Sequence, residues 1–375
     1  MPNLLDEINS TTLKVILPKK VTDLAFKRKS PFLARLRKRA TVFSGGAFIQ
    51  QTFLFGKTVG AAYGRGDTFD LTRSPIVDVT KFDLRFYYQN DTQFKEDINV
   101  YNKGAAAVFD LVAIHQEAML LSMNEMLSVD LYRHGQATGT GITDNRPNSI
   151  NGAAEALNNG VDNSWDGNFF LTYGKNTRNG TIGPALNSTP YFAGDAAGAA
   201  GPITYAILLE RYMTACGGDW HPDLMVMNKA AYMYCLERLQ PQQRFGQEGS
   251  PKWGFDGFKL MGMDVLRDEY APSARFGVND PRTGNWLTST FTSAAAPTAD
   301  SNLPAATTIT VGETIWQINS DMEALYISDD PLYRFGWTGY KEAQNSTIVA
   351  GQLLFGGNFI FRAPWTSSQI YGVNS

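Results

Sequence analysis

Cysteine and histidine are nearly missing from this chain. Its 375 residues include two cysteines, Cys216 and Cys235, and three histidines, His115, His134 and His221. Neither cysteine stands in a CxxC or other metal-ligand spacing, so a disulfide framework is not expected and a reducing compartment fits. His115 opens HQEAM, which lacks the second histidine of a zinc-protease motif. It is expected within or beside the apolar stripe of a helix. His134 is expected in that helix's last turn, where a basic side chain suits the macrodipole. His221 precedes Pro222 at a strand entrance. There is no Gly-x-Ser-x-Gly elbow, and the acids are scattered. No catalytic residue, cofactor site or metal site is marked, and the expectation is a protein that is not an enzyme.

A long apolar run is missing too. The longest uncharged stretch, Ala343 to Phe361, is interrupted by Gly351, Gly356, Gly357 and Asn358. It reads as a strand pair rather than a membrane span. The opening MPNLLDEINS carries acids where a signal peptide carries bases, so synthesis in the cytoplasm is expected. What is present is bulk: 43% hydrophobic and 12% aromatic residues exclude a largely disordered chain. The length suits two to three compact units. The net charge of −3 hides an asymmetry. Ten of the 33 basic residues fall between Lys14 and Arg39, with Asp23 as the one acid there. Such an arm can neutralise phosphates or lie on an acidic protein surface; the acidic remainder of the chain favours the protein contact.

Residues 55–68, FGKTVGAAYGRGDT, contain the ends of two well-known motifs. A phosphate-binding loop requires a glycine five positions before Gly56, where Gln51 stands, and a helix after it, where none is evident. Arg65-Gly66-Asp67 matches an adhesion tripeptide, but nothing suggests secretion. The stretch reads instead as a glycine-hinged tip. It joins AFIQQTFLF to IVDVTKFDLRFYY, whose alternation places Phe82, Leu84, Phe86 and Tyr88 on one face. A two-stranded ribbon with so long a tip is not stable alone and requires a partner surface.

The remaining elements are read from periodicity. SPFLARLRKR predicts a short helix capped by Ser30, with Pro31 first and Phe32, Leu33 and Leu36 inward. A helix from about Lys103 to His134 is predicted by Val108, Leu111, Val112, Met119, Met123 and Met126. Asn102 is its expected cap and Gly135 its stop, and it would span roughly 45 Å. Residues 135–202 and 272–308 read as two permissive insertions. Between them TYAILLERYMTACG and NKAAYMYCLERLQ predict helices, DLMVM a buried strand and GFKLMGMDVLRD a strand pair. TIWQINSDMEALYIS and STIVAGQLLFGGNFIFRAPW return to strands.

This order of parts resembles the major capsid proteins of tailed bacteriophages, an α+β architecture known as the Hong Kong 97-like fold. The resemblance covers nearly the whole chain. It is carried by SPFLARLRKR, FLFGKTVGAAYGRGDTF, WHPDLMVMNKAAYMYCLERL, FDGFKLMGMDVLRDEYAP, SDDPLYRFGWTGY and NSTIVAGQLLFGGNFIFRAP. It implies an N-terminal arm (1–41), an extended β-hairpin loop (42–92), a spine helix with the first part of a peripheral domain (93–150), an axial domain (151–317) and return strands of the peripheral domain (318–375). It implies pentamers and hexamers closing an icosahedral shell around double-stranded DNA in a virion assembled in the host cytoplasm. A portal, a decoration protein and, with so short an arm, a separate scaffolding protein are the other expected partners; no membrane is. The loop would cross a neighbouring subunit through Gly56, Lys57, Gly60, Tyr63, Gly64, Arg65, Gly66, Asp67 and Asp70. The arm residues Lys27, Arg28, Lys29, Arg35, Arg37, Lys38 and Arg39 would meet a subunit, a scaffold or DNA. Some family members crosslink a loop lysine to asparagine, for which Lys57 with Asn345 or Asn358 are the candidates. An encapsulin-like compartment shell is the nearest alternative, ahead of a soluble enzyme or an adhesin.

Overall fold

The computed structural model describes residues 30–101, 111–135, 148–180, 183–188, 190–195, 197–239, 259–275, 279–280, 284–285, 290–292, 307–342 and 346–374. Lys27, Arg28, Lys29, Asn102, Gly104, Val108 and Asn345 lie outside the described residues. Helix α1 (Pro31–Lys38) forms as its sequence directs: the Ser30 hydroxyl accepts from Leu33 N–H, Pro31 takes the first position, and Phe32, Leu33 and Leu36 are buried. A parallel bridge of Thr41–Phe43 to the body follows.

Strands β1 (Phe48–Leu54) and β2 (Val77–Asp83) pair antiparallel as a ribbon, from Phe48 opposite Asp83 to Leu54 opposite Val77. Strand β3 (Arg85–Phe94) continues after a single break at Leu84. That break overturns part of the alternation read from the sequence. Phe82 and Tyr87 are buried, whereas Phe86 and Tyr88 are exposed. The chain changes partner there: β2 pairs within the ribbon, while β3 pairs along ten residues with a strand near the C-terminus. The Asn358 amide takes the carbonyl of Asp83 at the junction. A one-residue interruption is enough to swap the two faces.

Helix α2 (Leu111–Asp130) is the long helix of the sequence reading, with Met119, Met123 and Met126 buried against the body. It stops four residues before His134. Segment 150–153 crosses its end, and the carbonyls it leaves open are taken by Ala153 N–H, onto Leu131, and by the Trp165 indole, onto Tyr132. Gly152 is required at this crossing, because a Cβ would collide with the carbonyl oxygens of Asp130 and Arg133. His134 therefore lies beyond the helix, buried, with Nδ1 2.9 Å from Asp166. The macrodipole reading of His134 is corrected.

The remainder forms two sheets. Helix α3 (Tyr205–Ala215, capped by Thr204), β4 (Leu224–Met227), α4 (Lys229–Leu239, its first turn bonded to Asn228), β5 (Met263–Arg267) and β6 (Glu313–Ile318) build the mixed unit. β7 (Glu323–Ser328) and β8 (Ile348–Phe361) join the other sheet, and β9 (Ser368–Asn374) ends the chain. A seven-stranded sheet runs 259–260, β5, β4, β6, β9, 190–192, with 201–202 also on β9. A six-stranded sheet holds 41–43, β7, β8, 334–337, 341–342 and β3. The chain thus leaves the first sheet after β6 and returns to it with β9. Helices α3 and α4 cover the first sheet over their own core. Helix α1 touches α2, β5 and β7 and so wedges between the two sheets.

Two readings are corrected here. Ala343–Phe361 is not a strand pair, because its described part, β8, is one unbroken 14-residue strand. Its glycines make room rather than turns: a Cβ on Gly351 would run into the Trp337 ring. Second, much of the first permissive insertion is core. Trp165, Phe170, Tyr173 and Leu186 are buried, together with Asn158, Asp162 and Arg178. Its Asn and Asp side chains tie the backbone from within, as Asn158 Oδ1 does by accepting from Gly160 and Phe170 N–H. Of the second insertion, 279–280 pairs with 284–285 and 290–292 with 308–310.

Candidate functional site

The ribbon is anchored at one end and bare at the other. At its base, Ile49, Thr80 and Phe82 are buried. The Phe82 ring meets Tyr173 edge-on at 5.0 Å, Lys81 N–H donates to Gly174 O, Asn176 donates to Val79 O, and Lys175 pairs with Asp83 at 2.5 Å. The short hairpin around residues 172–177 thus clamps the ribbon. Beyond it, residues 55–76 carry no helix or strand, and no helix follows Gly56-Lys57-Thr58 as a phosphate-binding loop would require.

The tip is folded on itself. Asp67 accepts from Gly64 N–H and Asp70 accepts from the Thr72 N–H and hydroxyl, which lowers the Asp70 pKa. Tyr63 and Phe69 stack edge-on at 5.1 Å. Asp67 and Asp70 therefore have local partners, whereas Lys57 and Arg65 make no ion pair among the described residues. The glycines differ as well. Gly66 holds φ +96, and a Cβ on Gly56 would collide with Pro75 O where the loop closes, while Gly60 has open space around it. Gly60→Ala is expected to leave loop and stability unchanged. Gly56→Ala is expected to spread the loop's base, measured as faster amide exchange at Phe55, whose N–H donates to Ile76 O.

Beside the glycines and charges, the sequence reading singled out Tyr63 but missed Leu54, Val59, Phe69, Leu71 and Val77. Leu71 is 91% exposed, Leu54 77%, Tyr63 71% and Phe69 66%, with Val59 and Val77 half exposed. A glycine-rich loop without alternation gives no periodic signal for such residues; their only mark was apolar side chains among turn formers.

The arm is placed differently. Arg35 reaches Asp223 (3.4 Å) and the Ser320 hydroxyl (2.9 Å), Arg39 pairs with Asp321 (2.7 Å), and Arg37 donates to Asn124 (2.9 Å) and lies 4.2 Å over the Phe335 ring. Burial lowers the Arg37 pKa. Asp268 secures the N-terminus of α1, accepting from the Ser30 hydroxyl (2.7 Å) and Phe32 N–H (3.3 Å). Burial pushes its pKa up to about 6 against these bonds. Arg35 and Arg39 thus face acids of their own subunit, Arg37 holds Asn124 and Phe335, and neither Arg37 nor Lys38 makes an ion pair among the described residues. Asn358 is buried and bonded to Asn151 and Asp83, so it is closed to a crosslink with Lys57.

No protein-family model and no curated protein matches the chain. Solved structures do. The chain is similar to the capsid of a native GTA particle, with 11% identity, TM-score 0.60 and 96% of each chain covered. It is similar to the capsid subunit of cyanophage A-1(L) at 15% identity and TM-score 0.59, covering 98% of this chain and 99% of that one. It is also similar to the SrpI encapsulin of Synechococcus elongatus PCC 7942 at 8% identity and TM-score 0.52, covering 99% and 95%. The fold is that of capsid subunits. It takes in the arm helix, the ribbon and both sheets, since coverage is nearly complete in each direction.

Proposed function

We propose that the chain is the major capsid protein of a tailed phage, with a structural and non-enzymatic role. Pentamers and hexamers of it would form an icosahedral shell around double-stranded DNA. The observation that carries this reading is the ribbon: a clamped base and a tip bearing Leu54, Tyr63, Phe69 and Leu71 in solvent. Exposed apolar clusters of this kind mark contact surfaces, and a neighbouring subunit supplies one at every copy of a closed shell. In this reading 1–41 is the arm, 42–92 the extended loop of a Hong Kong 97-like subunit, and 93–150 the spine helix with the start of the peripheral domain. Residues 151–317 form the axial domain and 318–375 the peripheral return, with β9 sitting in the axial sheet. Lys57 and Arg65 are then the loop charges that pair across subunits, and Asp67 and Asp70 chiefly shape the tip. A scaffold, a portal, a decoration protein and the packaged DNA are its proposed partners. The match to an encapsulin supports a cargo-enclosing compartment as the second reading.

The test is negative-stain microscopy of the purified chain, alone and with the products of neighbouring genes. Closed shells or five- and six-fold rings are expected. A Phe69→Asp/Leu71→Asp variant should keep the wild-type circular dichroism yet need roughly a hundredfold or more protein to assemble, since burying each of the two side chains is worth about 1.5–3 kcal/mol. Unchanged assembly by this variant, or a monomer under every condition, would overturn the proposal.

A further inference from the structure

Strand β3 forms an edge of the six-stranded sheet, and its outer side is unpaired among the described residues. The hydrogen-bond parity shows which groups are left over. Lys95, one step beyond β3, donates its N–H to Thr347 O across the pair at 2.9 Å. Opposite Phe86 and Asn90, Gly356 N–H and Gln352 O turn to the other neighbour, bonding Tyr333 O and Thr338 N–H. In an antiparallel pair the two kinds of position alternate. The odd residues of β3 therefore face β8, and Phe86, Tyr88, Asn90, Thr92 and Phe94 direct N–H and C=O outward. The same five side chains are exposed, Phe86 at 58%, Tyr88 at 64% and Phe94 at 54%. The opposite face is occupied, since Tyr87 bonds Asp130, Gln89 bonds Met126 and Asp91 bonds His115, all on α2. Soluble proteins guard an edge like this with proline, lysine or a bulge. β3 contains no proline or lysine, and its register with β8 is unbroken.

We infer that this edge pairs with the same strand of a second copy, antiparallel about Asn90. The outward residues are nearly symmetric about that position. In this register Phe86 meets Phe94 of the second copy at both ends, Tyr88 meets Thr92, and Asn90 meets its own counterpart. Aromatic pairs across adjoining strands stabilise them. A shift of two residues in either direction leaves one of the two phenylalanines beyond the end of the partner strand. On the helix face Gln89 falls opposite Asp91, so no like charges oppose each other at the centre. At the ends Arg85 comes opposite Lys95, which carries Glu342 at 2.9 Å to offset it. The pairing supplies about ten backbone bonds, using every outward group of both strands. The contact is isologous, as two-fold symmetry requires. It is separate from the ribbon tip: a closed shell has two-fold axes at which it fits, and an isolated dimer would hold it equally.

The experiment traps the register in the full chain. With Cys216→Ser removing the half-buried thiol, Asn90→Cys brings two thiols together across the axis. Opposed α-carbons of a hydrogen-bonded pair lie about 5.5 Å apart, within disulfide reach. Mild oxidation is expected to give crosslinked dimer, in shells or in the soluble chain. Thr92→Cys controls for register: its two thiols would stand four residues apart, roughly 13 Å, and should stay reduced. No dimer from Asn90→Cys, or equal crosslinking of both variants, overturns the inference. Thr92→Pro removes an outward N–H that the chain itself does not use. It should keep the wild-type urea midpoint yet raise the dimer dissociation constant roughly tenfold or more, since two bonds are lost across the axis. Unchanged dissociation overturns the inference, as does an unfolded proline variant, which would place that N–H inside the fold. Crosslinked dimer without any shell upholds this contact and overturns the shell, so the two failures are distinguishable.

Discussion

Arg178→Ala is expected to lower the stability of the folded chain by roughly 3–5 kcal/mol, the range for removing one member of a buried charged network. The guanidinium is 1% exposed and donates to four backbone carbonyls, those of Asn158, Leu186, Glu155 and Ala156. Burial lowers its pKa to about 10, so it remains a cation at neutral pH. Its side chain also lies over the Tyr173 ring at 5.2 Å. Alanine leaves all four acceptors in a dry interior, where each unsatisfied group costs about 1–3 kcal/mol before relaxation. Arg178→Lys restores the charge but not the planar fork, and should recover only a fraction. The check is the urea midpoint of the three proteins. A functional readout accompanies it, because the same segment carries the hairpin that clamps the ribbon. In the alanine variant the Lys81 amide, bonded to Gly174 O, should exchange faster than the rest of β2. An alanine variant within about 1 kcal/mol of the wild type would mean that segment 150–190 is held by its aromatic residues alone.

That segment also shows where sequence reading stops. Elements with a period were legible. Ser30, Pro31 and the Phe32/Leu33/Leu36 face specify α1 locally, and Thr204, Asn228 and the LMVM run do the same for α3, α4 and β4. The ribbon was legible because its two strands alternate and its tip is rich in glycine. Segment 150–190 has no period to detect. Its order comes from Asx-type bonds and from one arginine that reaches residues 8 to 23 positions away. Such long-range satisfaction of carbonyls leaves only composition behind, and its Asn and Gly content looks like that of a loose loop. The inverted face of β3 failed for a related reason: the partner strand lies some 260 residues away, and nothing local to Leu84 announces the change. In the site, the charges were legible as charges. Whether they were free was not, since Arg35 and Arg39 meet acids at Asp223 and Asp321 that only folding brings near.

The arm helix brings a second large effect, set by pH. Glu323 opens β7 beneath α1, buried, with neither carboxylate oxygen bonded among the described residues. Burial raises its pKa to about 8, partly opposed by Arg35 and Arg39 and reinforced by Asp223. A carboxyl whose pKa is raised by folding favours the folded state where it is protonated in that state, so this contribution is complete below the unfolded pKa near 4.5 and is lost as pH rises through 8. Asp268, at about 6, acts in the same direction over a lower window. The wild type should therefore lose stability steadily between pH 5 and 9, and Glu323→Gln should remove most of that slope above pH 6. Each tenfold weakening of proton release on folding corresponds to about 1.4 kcal/mol, so the variant is expected to be more stable than the wild type by on the order of 4 kcal/mol at pH 9 and nearly equal to it at pH 5. Asp268→Asn should behave oppositely, because Asp268 accepts from Ser30, Phe32 and Tyr270 through both carboxylate oxygens and an amide in its place offers one acceptor oxygen. Denaturant midpoints at pH 5, 7 and 9 decide the matter: parallel profiles for the wild type and Glu323→Gln would show that the carboxyl is not the source of the slope. Since Glu323 lies under the helix that wedges the two sheets, the alkaline loss should appear first as faster exchange in α1, ahead of α4 on the distant core.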